Sequence, residues 1–334
     1  MMTNTLTIHD SVFKLSSEQI EELMQNESAN FFQTIEALHF FNTVGLETFS
    51  YAIEYDKKIT AFVAGIVQKE KGIKSSFTSR AIIYGGPIIS KDVEKEHIAE
   101  LFKTVVKQLK HKVIYIETRN LNNYSNHKEV LKEIGFEYHP HLNFHVTCDT
   151  QELAKKRLSS SKLRQIKKSL KEGAEIKEAT TESEIADFYE ILSNLYKTKV
   201  KTPLPDLFFF TTLWSQRIAK IFLVFFNNEV IGGIVCPFLK DKVIYEWYVC
   251  GKDGVYKNIY PSILATWSAI QYACENQIPR FDFMGAGKPD EDYGVREFKS
   301  KFGGELVEHG RFVYVANPFL YNLGKQAVKA LKKW

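Results

Sequence analysis

Two short stretches decide how this chain is to be read. FSYAIEYDKKITAFVAG occupies residues 49–65, and IFLVFFNNEVIGGIVC occupies residues 221–236. In each, an apolar run enters a polar pair, Asp56-Lys57 or Asn227-Asn228, and leaves into a second apolar run. Such a pair between two strand-forming runs marks a tight hairpin. The segments downstream of the two hairpins also repeat. After the first come AIIYGGPII, a helical stretch from Val93 to Lys110, and the apolar strand VIYIETR from Val113. After the second come VIYEWYVCG, YPSILATWSAIQYACEN and RFDFMGA. In the latter helix Ile263, Trp267, Ile270 and Cys274 recur at three- and four-residue steps, which builds a buried stripe.

The order strand, hairpin strand, strand, helix, strand thus occurs twice. It predicts an α/β (α+β) chain with two tandem domains, each a mixed β-sheet flanked by helices. The length of 334 residues agrees, being long for one hydrophobic core. The expected layout is a first domain over 1–150, a basic connector helix over 151–175 and a second domain over 176–334, with a ligand cleft between the domains.

Composition excludes several classes. With 44% hydrophobic and 25% charged residues, the chain is globular rather than disordered. A formal charge of +4 is too weak to imply nucleic acid by itself, so the distribution of charge matters more. Cys148, Cys236, Cys250 and Cys274 have no CxxC spacing, which argues against structural zinc and for reduced thiols in a cytoplasmic protein. His139, His141 and His145 also lack zinc-ligand spacing, so no metal is expected. The chain has no apolar signal segment and no run of about 20 apolar residues. A cytoplasmic location follows as the expectation, with peripheral contact at the inner face of the membrane left open.

Charge is concentrated in QELAKKRLSSSKLRQIKKSLK, residues 151–171, which holds eight Lys or Arg and one Glu. Helical spacing puts Leu163, Ile166 and Leu170 on one stripe and Arg164, Lys167, Lys168 and Lys171 on another face. One of Ser159, Ser160 and Ser161 is expected to cap this helix, and Gly173 to end it. The segment reads either as a solvated connector or as a patch for phosphate-rich partners such as tRNA, nucleotides, coenzyme A or a lipid pyrophosphate. No aromatics interleave with it, so it carries no base-stacking code.

RQIKKSLKEGAEI (164–176), FYEILSNLYKTK (188–199) and RFDFMGAGKPDEDYGVREFKSKFGG (280–304) together resemble the Fem family. These are the FemX/FemA/FemB-type peptidoglycan bridge-forming aminoacyltransferases, with the wider FemAB-like acyltransferase group around them. The resemblance runs from Phe31 to Arg311 and implies two GNAT-like domains. It implies transfer of an amino acid from aminoacyl-tRNA to a lipid-linked or nucleotide-linked peptidoglycan precursor, without a cofactor. It carries the family's Phe-Lys pair, associated with the acyl donor and the transition state, onto Phe298 and Lys299. The family's basic stretch falls on Arg164, Lys167 and Lys168. Between Phe188 and Lys220 there is no room for the helical arm of FemA and FemB, so the chain is closer to the armless FemX type. The tryptophan expected near the first helix is absent from FFQTIEALHFF.

Two alternatives stand beside this one. The first is a coenzyme A-dependent N-acyltransferase acting on an amino sugar or surface polysaccharide precursor, with acetyl-CoA or another acyl-CoA as donor. Against it, GKDGVYKNIYP before the helix at Tyr260 is a poor substitute for a pyrophosphate-binding glycine loop. The second is a non-catalytic nucleic-acid-binding protein.

Acyl transfer to an amine needs compensation for the oxyanion formed on the way, often the largest catalytic contribution. Lys299 is the candidate cation, and Phe298 would pack beneath the donor or position the lysine. The alternation in EFKSKFG predicts a strand or bulge, and Gly303-Gly304 a turn or close backbone approach. No nucleophile motif is present, so direct attack by the amine is expected. Glu246, within VIYEWYV, is the acid–base candidate. It is either buried with a raised pKa or, the preferred reading, facing water; Asp282 and Asp292 are comparable. Tyr256 and Tyr260 are candidate substrate contacts, as is Tyr84, on the acceptor side beside Gly85-Gly86.

Overall fold

Both hairpins form, and they match in detail. The structure, a computed structural model, describes residues 6–69 and 78–331. In the first unit, β1 (Leu6–His9), α1 (Ser17–Gln25) and α2 (Ile35–Thr43) lead into the hairpin of β2 (Glu47–Tyr55) and β3 (Lys58–Gln68). After it come β4 (Arg80–Gly85), β5 (Ile88–Ile89), α3 (Lys95–Leu109), β6 (Tyr115–Asn120), α4 (Lys128–Ile134) and β7 (Phe136–His139). In α3, Ile98, Leu101, Phe102, Val105 and Leu109 form one apolar face, which packs on a core that includes Ile53, Val63, Ile83 and Ile116 from the sheet.

The second unit begins with β8 (Leu142–Thr147), α5 (Gln151–Arg157), α6 (Ser160–Lys171), β9 (Glu175–Glu178), α7 (Glu182–Leu195) and α8 (Leu207–Ser215). Its hairpin is β10 (Ala219–Phe226) with β11 (Glu229–Leu239), followed by β12 (Val243–Tyr245), β13 (Tyr248–Gly251), α9 (Pro261–Glu275), β14 (Arg280–Asp282), α10 (Gly294–Ser300) and β15 (Glu305–Glu308). The described chain closes with β16 (Arg311–Val315) and α11 (Pro318–Leu331), which return to the first unit.

Asp56 and Lys57 have φ of 50° and 64°, and Asn227 and Asn228 have 51° and 63°. These left-handed pairs give the turn whose twist suits a two-residue hairpin. Each hairpin also slips register shortly before its turn, between Ile53 and Glu54 and between Val224 and Phe225. In both units a helix then crosses to a parallel strand, β4 to β6 and β12 to β14. The sheets run β1-β2-β3-β4-β6-β16-β7, with β5 also on β3, and β15-β8-β14-β12-β11-β10-β9, with β13 also on β11.

The boundaries differ from those expected. The first unit ends at His141 rather than 150 and resumes at Glu308, while the second covers Leu142–Val307. Strand pairing is the reason: β8 pairs with β14, and β16 lies between β6 and β7. The first unit is therefore not one continuous stretch of chain. Residues 151–175 are not a free connector either. Ala154, Leu158 and Ile166 join a buried cluster with Trp267 and Ile270, inside the second unit.

Charge ties β16 into its sheet. Arg311 Nη1 donates to Glu117 Oε1 at 2.8 Å, and Arg119 Nε donates to Oε2 at 3.0 Å. Burial by itself would raise the pKa of Glu117, but Arg119 and Arg311 outweigh it and hold the carboxyl at about 2. A folded-state pKa below the unfolded one contributes stability above the ordinary carboxylate range, lost as pH falls toward the folded value. Denaturant unfolding across pH checks this. Between about pH 5 and pH 2 the wild type should lose on the order of 3 kcal/mol more than Glu117→Gln does.

Candidate functional site

The second sheet opens at Glu246. Strand β12 pairs with β14 only through Ile244 and Tyr245. The Glu246 amide still donates to Asp282 O at 2.9 Å, but the Trp247 amide donates to Val235 O of β11 at 3.0 Å. The chain thus leaves β14 at this residue, and two parallel strands part at their carboxyl ends. That is where open α/β sheets take ligands.

Lys299 of α10 bridges the parting strands. Its Nζ donates to Phe283 O at 2.7 Å and Gly285 O at 2.9 Å, and lies 3.1 Å from Glu246 Oε1. All three ammonium protons are engaged, and the residue is 9% exposed. The expected strand over EFKSKFG is instead the helix α10 followed by a turn. The Phe298 and Phe302 rings pack at a tilt four residues apart, and Glu297 pairs with Lys301 at 2.7 Å, both contacts of helical spacing. Adjacent helical side chains diverge by about 100°, so Phe298 and Lys299 serve different contacts.

Glu246 is buried, against the preferred expectation. Strand alternation stops at Tyr245, where the chain changes partners, so Tyr245 and Glu246 are both inside. Thr266 Oγ1 donates to Glu246 Oε2 at 3.3 Å. Burial pushes the Glu246 pKa up, against the pull of Lys299.

The loop after β14 is held from both sides. Met284, Gly285 and Gly287 have φ of 56°, 134° and 78°. The Met284 amide donates to Asp282 Oδ1 at 2.7 Å and the Gly285 amide to Asn143 Oδ1 at 2.7 Å. Lys299 takes the carbonyls of 283 and 285, and Arg296 Nε that of Ala286 at 2.9 Å. Asp282 is fully buried and also receives Asn143 Nδ2 at 2.7 Å, with His145 Nε2 3.0 Å from Oδ2. Burial would raise its pKa, but His145 and Asn143 outweigh that and lower it. Asp282 thus anchors the loop. Asp292 lies exposed.

The other expected residues separate into groups. Phe298 is half-buried, with Lys162 Nζ 3.8 Å above its ring. Gly303, at φ +79°, lies so close to the Arg157 carbonyl that a Cβ would approach it to 2.3 Å, and at Gly304 a Cβ would meet His145 O at 2.9 Å. Both glycines serve close backbone approach. Arg164, Lys167, Lys168 and Lys171 share the outer face of α6, beside an open depression of about 320 Å³. Tyr256 packs its ring on Phe226 at 5.1 Å, and Tyr260 precedes α9 with its amide on Ser169 Oγ at 3.0 Å. Tyr84 belongs to the first unit, where Arg119 Nη1 donates to its hydroxyl at 3.3 Å.

The apolar stripe of α6 is rotated from the one expected. Lys162, Ile166 and Ser169 face inward, while Leu170 is 46% exposed. Ser159 is the cap, its Oγ accepting from the Lys162 amide at 3.3 Å, and the Ser169–Tyr260 contact fixes the phase. Two residues that the sequence does not single out come into view. One is Lys162, buried among aromatic rings. The other is Asp253, whose Oδ1 accepts from the Ser262 amide at 3.2 Å and whose other oxygen takes the Ser262 hydroxyl, so a carboxylate covers the start of α9. Lys162 carries a faint signal in its four-residue spacing from Ile166; the remote cap has none. Among the described residues, no group of three or more His, Cys, Asp or Glu is arranged to hold a metal.

The sequence profile of the FemAB family matches residues 232–329, from β11 through the held loop and α10 into α11. That match covers 98 residues, under a third of the chain. The aminoacyltransferase FemA of Staphylococcus epidermidis is 32% identical over 105 residues, 30% of this chain and 24% of that protein. The match therefore spans about a quarter of the curated relative's length. A crystal structure of FemX is similar with a TM-score of 0.73 at 14% identity, over 95% of this chain and 99% of that one. A tandem GNAT protein from the clavulanic acid biosynthesis pathway is similar with a TM-score of 0.58 at 6% identity, over 94% and 99%. The fold is accordingly α+β, with two tandem GNAT-like domains.

Removing the bridging ammonium should strand Glu246 in the core. Lys299→Met is expected to cost about 3–5 kcal/mol in urea unfolding, and Lys299→Met with Glu246→Gln should recover a good part of that. Equal losses in the single and double variants would show that the two groups do not depend on each other.

Proposed function

We propose that this chain is an acyltransferase that forms an amide on an amine acceptor, taking an amino acid from aminoacyl-tRNA and delivering it to a peptidoglycan precursor. The FemAB profile match over residues 232–329 and the partial similarity to FemA support the reaction class. The observation that carries the choice of donor is the Asp253 carboxylate at the start of α9. A helix start is where a pyrophosphate finds amide donors and the positive end of the dipole. Here a carboxylate has taken that place, and its charge would repel coenzyme A. The Lys299 bridge adds to this, because a pantetheine arm entering between β12 and β14 would have to displace it. The outward cations of α6 suit an RNA backbone instead.

In this reading the neutral acceptor amine attacks the ester carbonyl directly, and no side chain of the protein forms a covalent intermediate. The held loop and Phe298 line the donor side. Lys299 and Glu246 act as positioning residues, since the ammonium protons are spent on the loop and on the carboxylate. Tyr256, Tyr260 and Tyr84 are substrate contacts, and Gly303 and Gly304 let the backbone close behind the site. A lipid-linked acceptor would put the protein at the inner face of the membrane. Among the described residues no helix is long and apolar enough to cross it.

The test is incubation with charged tRNA and, separately, acetyl-coenzyme A, against lipid-linked, nucleotide-linked and amino-sugar acceptors, read by mass spectrometry. Product is expected with charged tRNA and a peptidoglycan precursor; product with the thioester alone would overturn the reading. Replacing Arg164, Lys167 and Lys168 together by alanine should weaken tRNA binding. It should also reduce the slope of log K against log salt by about three, roughly one per lost phosphate contact.

A further inference from the structure

Helix α11 (Pro318–Leu331) closes the described chain and is held to the first unit at its start and along one side. The amides of Ala316 and Asn317 both donate to Ile114 O at 2.9 Å, and Asn317 Oδ1 accepts from the Leu320 amide at 3.0 Å. Within the helix, Tyr321 sets its ring edge-on to Tyr115 of β6 at 5.3 Å, with Lys325 Nζ 4.4 Å over it. At about 100° per residue, positions 319 and 323 each lie about 160° round the helix from Tyr321. Phe319 and Leu323 occupy them, 76% and 48% exposed. Helical spacing puts positions 327 and 330, both alanine, on the same stripe. An anchored aromatic on one side thus turns an apolar stripe outward on the other.

The charge around this stripe has one sign. Residues 309–334 contain no Asp or Glu, in a chain with 40 of them, while Lys325, Lys329, Lys332 and Lys333 fall in this stretch. A second copy of the same helix would bring like charges together, which disfavours a two-fold contact through this face. RNA would satisfy the lysines and leave Phe319 and Leu323 in water. An anionic bilayer suits both, because apolar side chains enter the boundary of the acyl region while ammonium groups stay among the headgroups. An α-helix is about 10 Å across and the Debye length is about 10 Å at 0.1 M salt, so lysines leaving from its far side still feel the surface. The 14 residues of α11 span about 21 Å, short of the hydrocarbon core, so the helix would lie in the interface rather than cross it.

We propose that α11 is an interfacial helix that seats this protein, through Phe319, Leu323 and its lysines, on a lipid bilayer bearing anionic headgroups. The attachment goes beyond the reaction proposed above and does not depend on it. Two apolar side chains and four lysines give a reversible hold that needs both contributions. A neutral bilayer lacks the charge, and a soluble polyanion lacks the apolar phase. A lipid-linked acceptor carries its phosphate groups at the level of the headgroups, so this hold would keep enzyme and acceptor on one surface.

The experiment sediments the full chain with vesicles of phosphatidylcholine, alone or mixed equally with phosphatidylglycerol, in the absence of donor and acceptor. The wild type should bind the mixed vesicles and not the neutral ones, and should be released as salt is raised. Phe319→Ser with Leu323→Ser should lower the partition coefficient roughly ten-fold or more, and Lys329→Gln and Lys333→Gln roughly five-fold each. Urea unfolding checks that the variants fold, as expected for the exposed Phe319 and Leu323. A readout on the wild type itself is hydrogen exchange, in which amides of residues 318–331 should gain protection on adding mixed vesicles. Replacing Arg164, Lys167 and Lys168 by alanine should leave most of the vesicle binding in place. A wild type that ignores mixed vesicles, or a folded Phe319→Ser, Leu323→Ser protein that binds them like the wild type, overturns the proposal and leaves the transfer reading standing. So does vesicle binding that disappears with the α6 cations, or a wild-type dimer that the two serine substitutions dissolve while vesicles go unbound. Vesicle binding through α11 with no transfer from charged tRNA would support the proposal and overturn the transfer reading alone.

Discussion

The second unit is organised around one ammonium group. Lys299 reaches from α10 to the ends of two parallel strands, pairing with Glu246 at one and donating to two carbonyls of the following loop at the other. Hydrogen bonds to a charged group contribute about 1.5–3 kcal/mol each when buried, and here they also oppose backbone that does not hold its shape unaided. Met284 is a non-glycine residue at positive φ, followed by glycines in similar conformations. Asp282 and Asn143 hold the loop amides while Lys299 and Arg296 hold its carbonyls. The buried charge pair is best understood as a device of position, because such pairs contribute little net stability compared with apolar packing.

The two units solve the same opening with different chemistry. In the first, β4 stays with β6 through Gly85, and the break beyond it is filled by neutral groups. Asn30 packs against Gly85, and the Tyr124 hydroxyl donates to Pro87 O at 2.5 Å, with Gly85 O 3.3 Å away. In the second, the corresponding break carries Glu246 and receives Lys299. The family profile begins within β11, after the hairpin turn, and runs through the second unit's helix and loop. The charged version of the opening lies within the matched residues.

Charge on α6 divides in the same way between faces. Outward cations remain solvated and act through their summed field, which is weak at any one residue and strong as a patch. The inward Lys162 is largely buried, with its ammonium over the rings of Phe298 and Phe302. A count of eight basic residues in one segment treats all of them alike. Burial separates them into roles that composition does not distinguish.

Sequence alone determined the doubled architecture, since period-two hairpins around Asp56-Lys57 and Asn227-Asn228 and a three-to-four step helix are local patterns. It also picked out Phe298, Lys299 and Glu246 as a group, through residue type and resemblance. Tertiary structure decided which atoms meet. Whether Glu246 faces water depended on where β12 changes partner, and the form of EFKSKFG depended on contacts of α10 with the loop after β14. The exchange of β8 and β16 between sheets, the phase of α6 and the remote cap of α9 by Asp253 were likewise invisible in the sequence. The physical reason is common to all of these. Periodicity reports the preferences of neighbours along the chain, whereas burial, hydrogen-bond partners and charge pairing are set by residues far apart in sequence.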